Sequence, residues 1–450
     1  MSYEKTAHCI GPAFAVSVRE YGICAEYNKQ EPGYTAMVEK ISADSLHSYV
    51  NMLAGFRSRH THSSLNPEDK QIGAAQQWLQ KKFESLNSGL RVPIDSYMLP
   101  PTKRVPSVQE YRNVVAVLPG SDPADNRLFI MSGHLDSRAA DGNDPDIYSP
   151  GANDDGSAIA AMLEICRAME GRRFPATVMF VAFSGEEVGL RGSGAMADKA
   201  KKEGWKIGAL LNNDMIGQSN SNGTHLRDNS RVRVFSQGVP ASETGEAKGR
   251  RILNASENDG IQRQLARYIE ETGEKYVDNL DVVMIYRNDR FGRGGDHTPF
   301  VNYGYPAVRI TEMNENFNRQ HKDISENTRD TFGDIPEAMD FEYLRKNTAM
   351  NLAVISSLAG APSGPERVAV NLSNSDNHTQ LQWDVPAYGK TAGYYVVMRE
   401  TTAARWQKKF YTTGCSMVLP YSRDNYIFGV QAVGENGCES VVTVATAGGR

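Results

Sequence analysis

The chain has 450 residues, of which 40% are hydrophobic and 23% charged, with a formal net charge of −5. Its length predicts more than one folded unit, and its weak negative charge argues against a nucleic-acid partner. No apolar run approaches the roughly 20 residues that a membrane helix needs, so we expect no membrane span. The first residues, Met-Ser-Tyr-Glu-Lys, do not resemble a signal peptide, so we expect a cytoplasmic protein or a leader outside this chain.

The chain contains five cysteines, an odd number. Cys9 and Cys24 are near enough in sequence to form a disulfide, as are Cys415 and Cys438, and two such pairs would indicate an oxidising compartment. Cys166 lies in a helical pattern and is predicted to be a small buried side chain. Because no Cys-x-x-Cys occurs, we do not expect a thiolate metal site.

Strand and helix patterns alternate through most of the chain after an irregular segment at residues 1–41. Strands are predicted at residues 113–118, 128–131, 177–183, 207–211, 232–235 and 307–311. Helices are predicted at residues 42–56, 69–86, 157–169, 192–202, 257–272 and 341–358. Residues 218–259 are otherwise predicted to be an elaborated loop. The alternation predicts an α/β fold with a mostly parallel mixed sheet and helices on both faces.

The last part of the chain has a different periodicity. Residues 361–365, Ala-Pro-Ser-Gly-Pro, predict a linker, and seven short strands with a period of two follow it. Trp383 and Tyr426 resemble the pattern of a fibronectin type III sandwich. The predicted domains are therefore 1–41, 42–360, 361–365 and 366–450. The sandwich is expected to contact the 42–360 domain, another protein or a carbohydrate. Four of its aromatic residues are predicted to form either a binding strip on its surface or part of its core and interface: Tyr394, Tyr395, Trp406 and Tyr411.

Acidic or His-bearing segments directly follow three of the predicted strands, and another opens a helix. They contain His134 and Asp136, the pair Asp154-Asp155, the pair Glu186-Glu187, and Asp214. The carboxyl ends of strands are where α/β sheets build their ligand sites. In isolation each segment is usually only a polar turn or a helix start. Together, however, so many carboxylates would repel one another unless cations neutralised them, so we predict a pair of divalent metal ions.

Each segment has a predicted role in such a site. His134 would be a ligand and Asp136 would fix its tautomer. One residue of the Asp154-Asp155 pair would bridge the ions, and a non-proline cis peptide bond is a hypothesis for how the two neighbours face different ways. Glu186 and Glu187 divide into a general base and a ligand.

Four motifs carry a resemblance to a known family. Gly-His-Leu-Asp-Ser, Gly-Ala-Asn-Asp-Asp-Gly-Ser, Phe-Ser-Gly-Glu-Glu-Val-Gly-Leu and Asn-Asp-Met-Ile-Gly occur in this order. They look like the co-catalytic di-zinc aminopeptidases, which include bacterial leucyl aminopeptidases and, more remotely, glutamate carboxypeptidases and glutaminyl cyclases. The resemblance covers roughly residues 44–358 and implies the zinc exopeptidase fold, but it does not cover the sandwich.

The resemblance implies a ligand set for two Zn²⁺ ions. His134 and Asp214 would hold one ion, Glu187 and a later histidine the other, with Asp154 bridging and Glu186 as general base. For the later histidine we favour His321 over His297, although the neighbours Gln320 and Lys322 depart from the family pattern.

The resemblance also implies the reaction. A water shared by the two ions would attack the first peptide bond, releasing an N-terminal, apolar residue. The alternatives are a related metallo-carboxypeptidase or dipeptidase, and a catalytically silent binding or adhesion protein. The family favours a secreted or periplasmic location, against the lack of a visible leader.

Overall fold

The structure, a computed structural model, describes residues 31–327, 329–373 and 376–447. The α-helices in this part of the chain are α1 (Pro32–Val38), α2 (Ala43–Ala54), α3 (Ile72–Leu86), α4 (Gly156–Ala168), α5 (Arg191–Glu203), α6 (Gly245–Leu253), α7 (Ile261–Tyr276), α8 (His297–Asn302) and α9 (Phe341–Gly360). Two short 3-10 helices lie at Pro67–Asp69 and Pro336–Ala338. None of the described helices has the length and apolar character required to cross a membrane.

The strands of the same residues fall into two groups. The first group is β1 (Ile94–Leu99), β2 (Gln109–Leu118), β3 (Arg127–His134), β4 (Thr177–Phe183), β5 (Lys206–Asn213), β6 (Arg231–Phe235), β7 (Asp281–Ile285) and β8 (Ala307–Glu312). The second group is β9 (Glu366–Val370), β10 (Thr379–Asp384), β11 (Thr391–Glu400), β12 (Lys408–Thr412), β13 (Ser416–Leu419), β14 (Tyr426–Gly434), β15 (Thr443–Val444) and β16 (Thr446–Ala447).

The first group forms one mixed sheet, which among the described residues has the order β1-β2-β4-β3-β5-β8-β6-β7. Strands β4, β3, β5 and β8 run parallel to one another, and β6 and β7 are also parallel. Side chains alternate between the faces, as Val114 and Val115 show. Helices α2, α3, α4, α7 and α9 cover one face, and α5 and α8 the other. The predicted α/β fold with a mixed sheet and helices on both faces is confirmed.

Local signals explain the element boundaries that matter for the site. Helix α2 begins after Ser42, whose hydroxyl accepts a hydrogen bond from the Ser45 amide at 3.3 Å, as predicted. Helix α4 begins after Asp155, which caps the Ala158 amide at 3.3 Å. Strands β3, β4 and β5 therefore end together at one edge of the sheet, where the acidic segments follow them.

The structure differs from the predicted elements in several places. Residues 32–38, predicted to be irregular, form α1, because Tyr34, Met37 and Val38 pack into the main core. The predicted loop at 218–259 contains helix α6, which buries none of its residues. Strands β1 and β7 and helix α8 were not predicted. The remainder of the irregular segment, residues 1–30, lies outside the described residues, and so does the suggested pair of Cys9 and Cys24.

The suggested disulfide between Cys415 and Cys438 is also wrong, because both thiols are free. Cys415 is exposed just before β13, whereas Cys438 is buried beside the hydroxyl of Tyr34, 3.6 Å from its sulfur. Cys166 is fully buried in α4, as its sequence context predicts.

The second group of strands forms two four-stranded sheets within the described residues, with the orders β13-β10-β9-β16 and β12-β11-β14-β15. They share a core that includes Leu381, Trp383, Val396 and Phe428. Tyr394 belongs to this core, so it is not part of a surface strip. The division at residues 361–365 and the fibronectin type III assignment stay predictions.

The sandwich packs on α7 through charged contacts. Arg399 forms two hydrogen bonds with the carboxylate of Asp259, at 2.7 and 2.8 Å, and both side chains are buried. The Ala404 carbonyl accepts hydrogen bonds from Arg267 at 2.6 Å and from the Tyr286 hydroxyl at 3.3 Å. The loop from β11 to β12 therefore touches the residue that follows β7.

Candidate metal centre

His134 is the last residue of β3 and is almost fully buried. Its Nδ1 atom lies 2.9 Å from the backbone carbonyl oxygen of Asp136, and its Nε2 atom lies 3.1 Å from Oδ1 of Asp154. Burial lowers the pKa of His134, but the hydrogen bond to Asp154 and the charge of Glu186 outweigh it and raise the pKa. With Nδ1–H donated to the carbonyl, Nε2 is the atom that can bind a metal ion, and binding there would displace its proton.

Asp136 acts differently from our prediction. Its carboxylate oxygen is 3.8 Å from Nδ1 of His134, so the backbone carbonyl rather than the carboxylate fixes the tautomer. The carboxylate instead accepts hydrogen bonds from the amides of Gly185, Glu186 and Glu187, at 3.0, 3.2 and 3.1 Å. A fourth bond comes from the Thr61 hydroxyl at 2.8 Å. Asp136 therefore positions the turn that carries both glutamates.

The turn after β4 needs a glycine at its first position. Gly185 has a φ of +81°, and a Cβ atom there would lie 2.6 Å from the ring of Tyr111. After this tight turn, Glu187 reaches His321.

The pair Asp154-Asp155 lies between β3 and α4, and the peptide bond between the two residues is cis, as hypothesised. Asp154 faces both histidines, with its Oδ2 atom 2.9 Å from Nε2 of His321. The carboxylate of Asp155 turns away and accepts hydrogen bonds from the amides of His134 and Met215, at 3.0 and 3.2 Å. Asp154 is thus the member of the pair that can bridge two ions.

Glu187 and His321 form the other side of the site. The Nε2 atom of His321 lies 2.7 Å from Oε1 of Glu187, and Arg138 donates to Oε2 of Glu187 at 2.8 Å. Arg138 also lies 2.7 Å from Nδ1 of His321. His297, by contrast, is fully buried and points its Nε2 atom at the Asn288 carbonyl, 2.9 Å away.

Asp214 directly follows β5 and is paired with a buried arginine that the sequence analysis missed. Nη1 of Arg309 lies 2.9 Å from Oδ2 of Asp214 and 3.5 Å from Oδ2 of Asp289. The signal for it was an arginine in the middle of the predicted strand 307–311, flanked by Val308 and Ile310. Asp334 was missed as well; its carboxylate accepts hydrogen bonds from the amides of Asn153 and Asp154, at 2.8 and 2.7 Å.

Glu186 is partly buried beside these groups. Burial raises its pKa well above the ordinary value, and the charges of Glu187 and Asp214 add to the rise, against the effect of His134. A raised pKa makes this carboxylate a stronger proton acceptor than an ordinary glutamate, as a general base requires.

Two sets of donor atoms among the described residues could each hold a metal ion: His134, Asp154 and Asp214, and Asp154, Glu187 and His321. Within each set the donor atoms lie within 4.8 Å of one another, and the two sets share Asp154. Imidazole nitrogens and carboxylate oxygens are zinc ligands, and three protein ligands leave one position open, as in catalytic zinc sites. The residues therefore fit zinc.

This fold and this cluster define a metal-dependent hydrolase. The model of Peptidase family M28 matches residues 113–340. A probable zinc metalloprotease of the fungus Leptosphaeria maculans is 40% identical over 410 residues, which is 90% of this chain and 95% of the relative. Another, from Pyrenophora teres, is 36% identical over 90% of this chain and 85% of its own length. The chain belongs to Peptidase family M28 and is a zinc metalloprotease.

Solved structures support the fold. The LapA aminopeptidase of Legionella pneumophila has a TM-score of 0.51 and 17% sequence identity, covering 74% of this chain and 76% of that one. The glutaminyl cyclase of Macrostomum lignano has a TM-score of 0.50 and 15% identity, covering 72% and 92%. The predicted relationship to the zinc exopeptidase fold is confirmed.

Proposed function

We propose that this zinc metalloprotease is an aminopeptidase that uses two zinc ions and releases apolar N-terminal residues from peptides. The observation that carries the proposal is the carboxylate of Asp154, whose two oxygens face His134 and His321 at 3.1 and 2.9 Å. A carboxylate in this position can serve two ions about 3.5–4 Å apart, the spacing of two-metal aminopeptidases.

The proposed ligands are His134 and Asp214 for one ion and Glu187 and His321 for the other, with Asp154 shared. Bound zinc supplies Lewis-acid activation of the water and of the peptide carbonyl. Glu186 takes the proton of the attacking water and delivers it to the leaving amine. Its partly exposed position and raised pKa support this role.

Selection of an N-terminus is supported by the solved structures: LapA, which shares this fold, is named an aminopeptidase.

The test is the Glu186→Gln variant assayed on leucine p-nitroanilide. We expect kcat to fall by about 10²-fold or more, the contribution of a general base, while elemental analysis still finds about two zinc ions per chain. Glu84→Gln, at an exposed position of α3, is the matched control and should behave as the wild type.

Two results would contradict the proposal. Equal rates for Glu186→Gln and the wild type would show that Glu186 is not the general base. Cleavage of N-acetylated peptides as fast as peptides with a free amine would contradict the aminopeptidase assignment.

A further inference from the structure

A cluster of arginines lies beside the candidate metal centre. Four guanidinium groups contact three carboxylates: Arg233, Arg290, Arg293 and Arg309 contact Glu315, Asp289 and Asp214. Three negative charges therefore face four positive charges. The cluster carries one positive charge more than its acids neutralise.

The geometry assigns the excess charge to Arg293. Glu315 is engaged by Arg290 at 2.9 Å and by Arg233 at 3.0 Å, and Arg293 is its third partner at 3.5 Å. The side chain of Arg293 is 35% exposed, against 11% for Arg290. Arg293 is thus the most weakly paired arginine of the cluster and the one that solvent reaches most.

Arg293 is also linked to the site by one side chain. Its Nη1 atom lies 3.3 Å from Oε1 of Gln320, whose Nε2 atom lies 3.2 Å from Oδ2 of Asp154. One amide group and two hydrogen bonds separate the guanidinium from Asp154, which places it at most about 9 Å away. Arg138, by contrast, is already paired with Glu187 and His321.

A carboxylate on the residue that follows the scissile bond would fall within this distance. A residue spans about 3.3–3.6 Å of extended chain, so a carboxylate on the following residue can reach Arg293 when the scissile carbonyl lies beside Asp154 and the peptide runs toward Gln320. Guanidinium binds carboxylate through charge-assisted, often bidentate, hydrogen bonds.

We propose that Arg293 binds a substrate carboxylate one residue beyond the scissile bond, so that the enzyme prefers dipeptides or peptides with an acidic residue at that position. This inference rests on the proposed aminopeptidase function and names its substrate class. The carboxylate has two sources, the C-terminus of a dipeptide and an Asp or Glu side chain.

The experiment compares kcat/KM for leucyl-alanine, leucyl-alanine amide and leucyl-glutamate amide. The wild type should cleave at least one of the two acids roughly 10- to 100-fold better than the neutral leucyl-alanine amide. A preference for leucyl-alanine identifies the C-terminal carboxylate as the source, and a preference for leucyl-glutamate amide identifies the side chain. In Arg293→Gln the ratio of acid to neutral substrate should fall to about one.

Arg287→Gln is the matched control, because Arg287 lies on the same loop and stacks on Phe291 at 3.8 Å. It should keep the wild-type ratio. Equal wild-type rates on all three peptides, or an Arg293→Gln variant with an unchanged ratio, overturn the inference while leaving aminopeptidase activity in place. Failure to cleave any of the peptides or leucine p-nitroanilide overturns the proposed function and this inference together.

Discussion

Arg309 forms a buried ion pair with Asp214, and Nη1 of the arginine lies 2.9 Å from Oδ2 of the aspartate. Burial lowers the pKa of Arg309, but the charges of Asp214 and Asp289 outweigh it and raise the pKa. The pKa of Asp289 is held at about 2, because Arg309, His297 and Arg290 overcome the effect of burial. Arg309 therefore supplies a fixed positive charge to one proposed metal ligand.

Replacing Arg309 by Met should destabilise the zinc-free protein by about 3 kcal/mol or more, because two buried carboxylates would lose their partner. Urea unfolding in the presence of a chelator measures this loss. Arg345→Met is the control, since its pair with Glu342 on α9 is half exposed and should contribute less than about 1 kcal/mol. Similar losses of unfolding free energy for the two variants would show that the buried pair stabilises the protein no more than the half-exposed pair does.

The shared position of Asp154 predicts unequal zinc stoichiometries among ligand variants. Asp154→Asn should reduce the zinc content below about one ion per chain, because both donor sets lose a charged oxygen. Asp214→Asn should retain about one ion, and Asp141→Asn, at an exposed position, should retain both. Elemental analysis after dialysis against buffered zinc measures this. The bridging assignment is wrong if Asp154→Asn and Asp214→Asn retain the same amount.

The Asp136→Asn variant should loosen the turn that carries Glu186 and Glu187 and should therefore turn over slowly. An amide places an N–H donor against the backbone amides of the turn at residues 185–187, so at least one of those bonds is lost. We expect the free energy of unfolding to drop by about 2–3 kcal/mol and kcat to drop at least roughly tenfold. Hydrogen exchange of the turn amides should accelerate. Thr61→Val removes a single hydroxyl donor and serves as the milder control; unchanged exchange in Asp136→Asn would defeat the prediction.

Glu270 lies at the contact between α7 and the sandwich, and its raised pKa should make the stability of the protein depend on pH. Burial raises its pKa from 4.5 to about 7, although Arg405 acts in the opposite direction. Between these two values the folded chain holds a proton that the unfolded chain has released, so stability falls as pH rises from about 4.5 to 7. The loss is complete above pH 7 and amounts to at most about 3 kcal/mol.

Glu270→Gln should therefore flatten the fall in unfolding free energy between pH 5 and pH 8, measured by urea unfolding at several pH values. Glu246→Gln changes a side chain that is 80% exposed and should leave the slope unchanged. A slope in Glu270→Gln equal to that of the wild type would assign the pH dependence to another group.

Much of the fold was predictable because its signals are local. Strands β3, β4 and β5 are short apolar runs with β-branched residues, and α2 has a Ser42 cap before an apolar periodicity. Helix α6 was not predictable in this way, because it buries no side chain and its sequence therefore lacks the periodic apolar residues that indicate a buried helix face. Strand β7 is only five residues long, and its pairing with β6 depends on contacts distant in sequence.

The candidate site also contains residues that could be predicted from the sequence and residues that could not. The acidic segments could be recognised because three of them follow the ends of buried strands and the fourth opens α4, and the structure places Asp154 between His134 and His321. The use of the Asp136 carboxylate was not visible, because the amides it binds are 49–51 residues away in the chain. Arg309 and Asp334 reach the site from distant strands and loops, so their roles exist only once the chain is folded.

The contact between the sandwich and Tyr286 has a consequence for heat inactivation. Tyr286 begins the segment that carries Arg290 and Arg293, and the Ala404 carbonyl of the sandwich accepts its hydroxyl hydrogen bond at 3.3 Å. The loop between β11 and β12 of the sandwich thus contacts the start of the segment that carries Arg293. On warming, the temperature at which turnover fails should follow the melting of the sandwich rather than the departure of zinc.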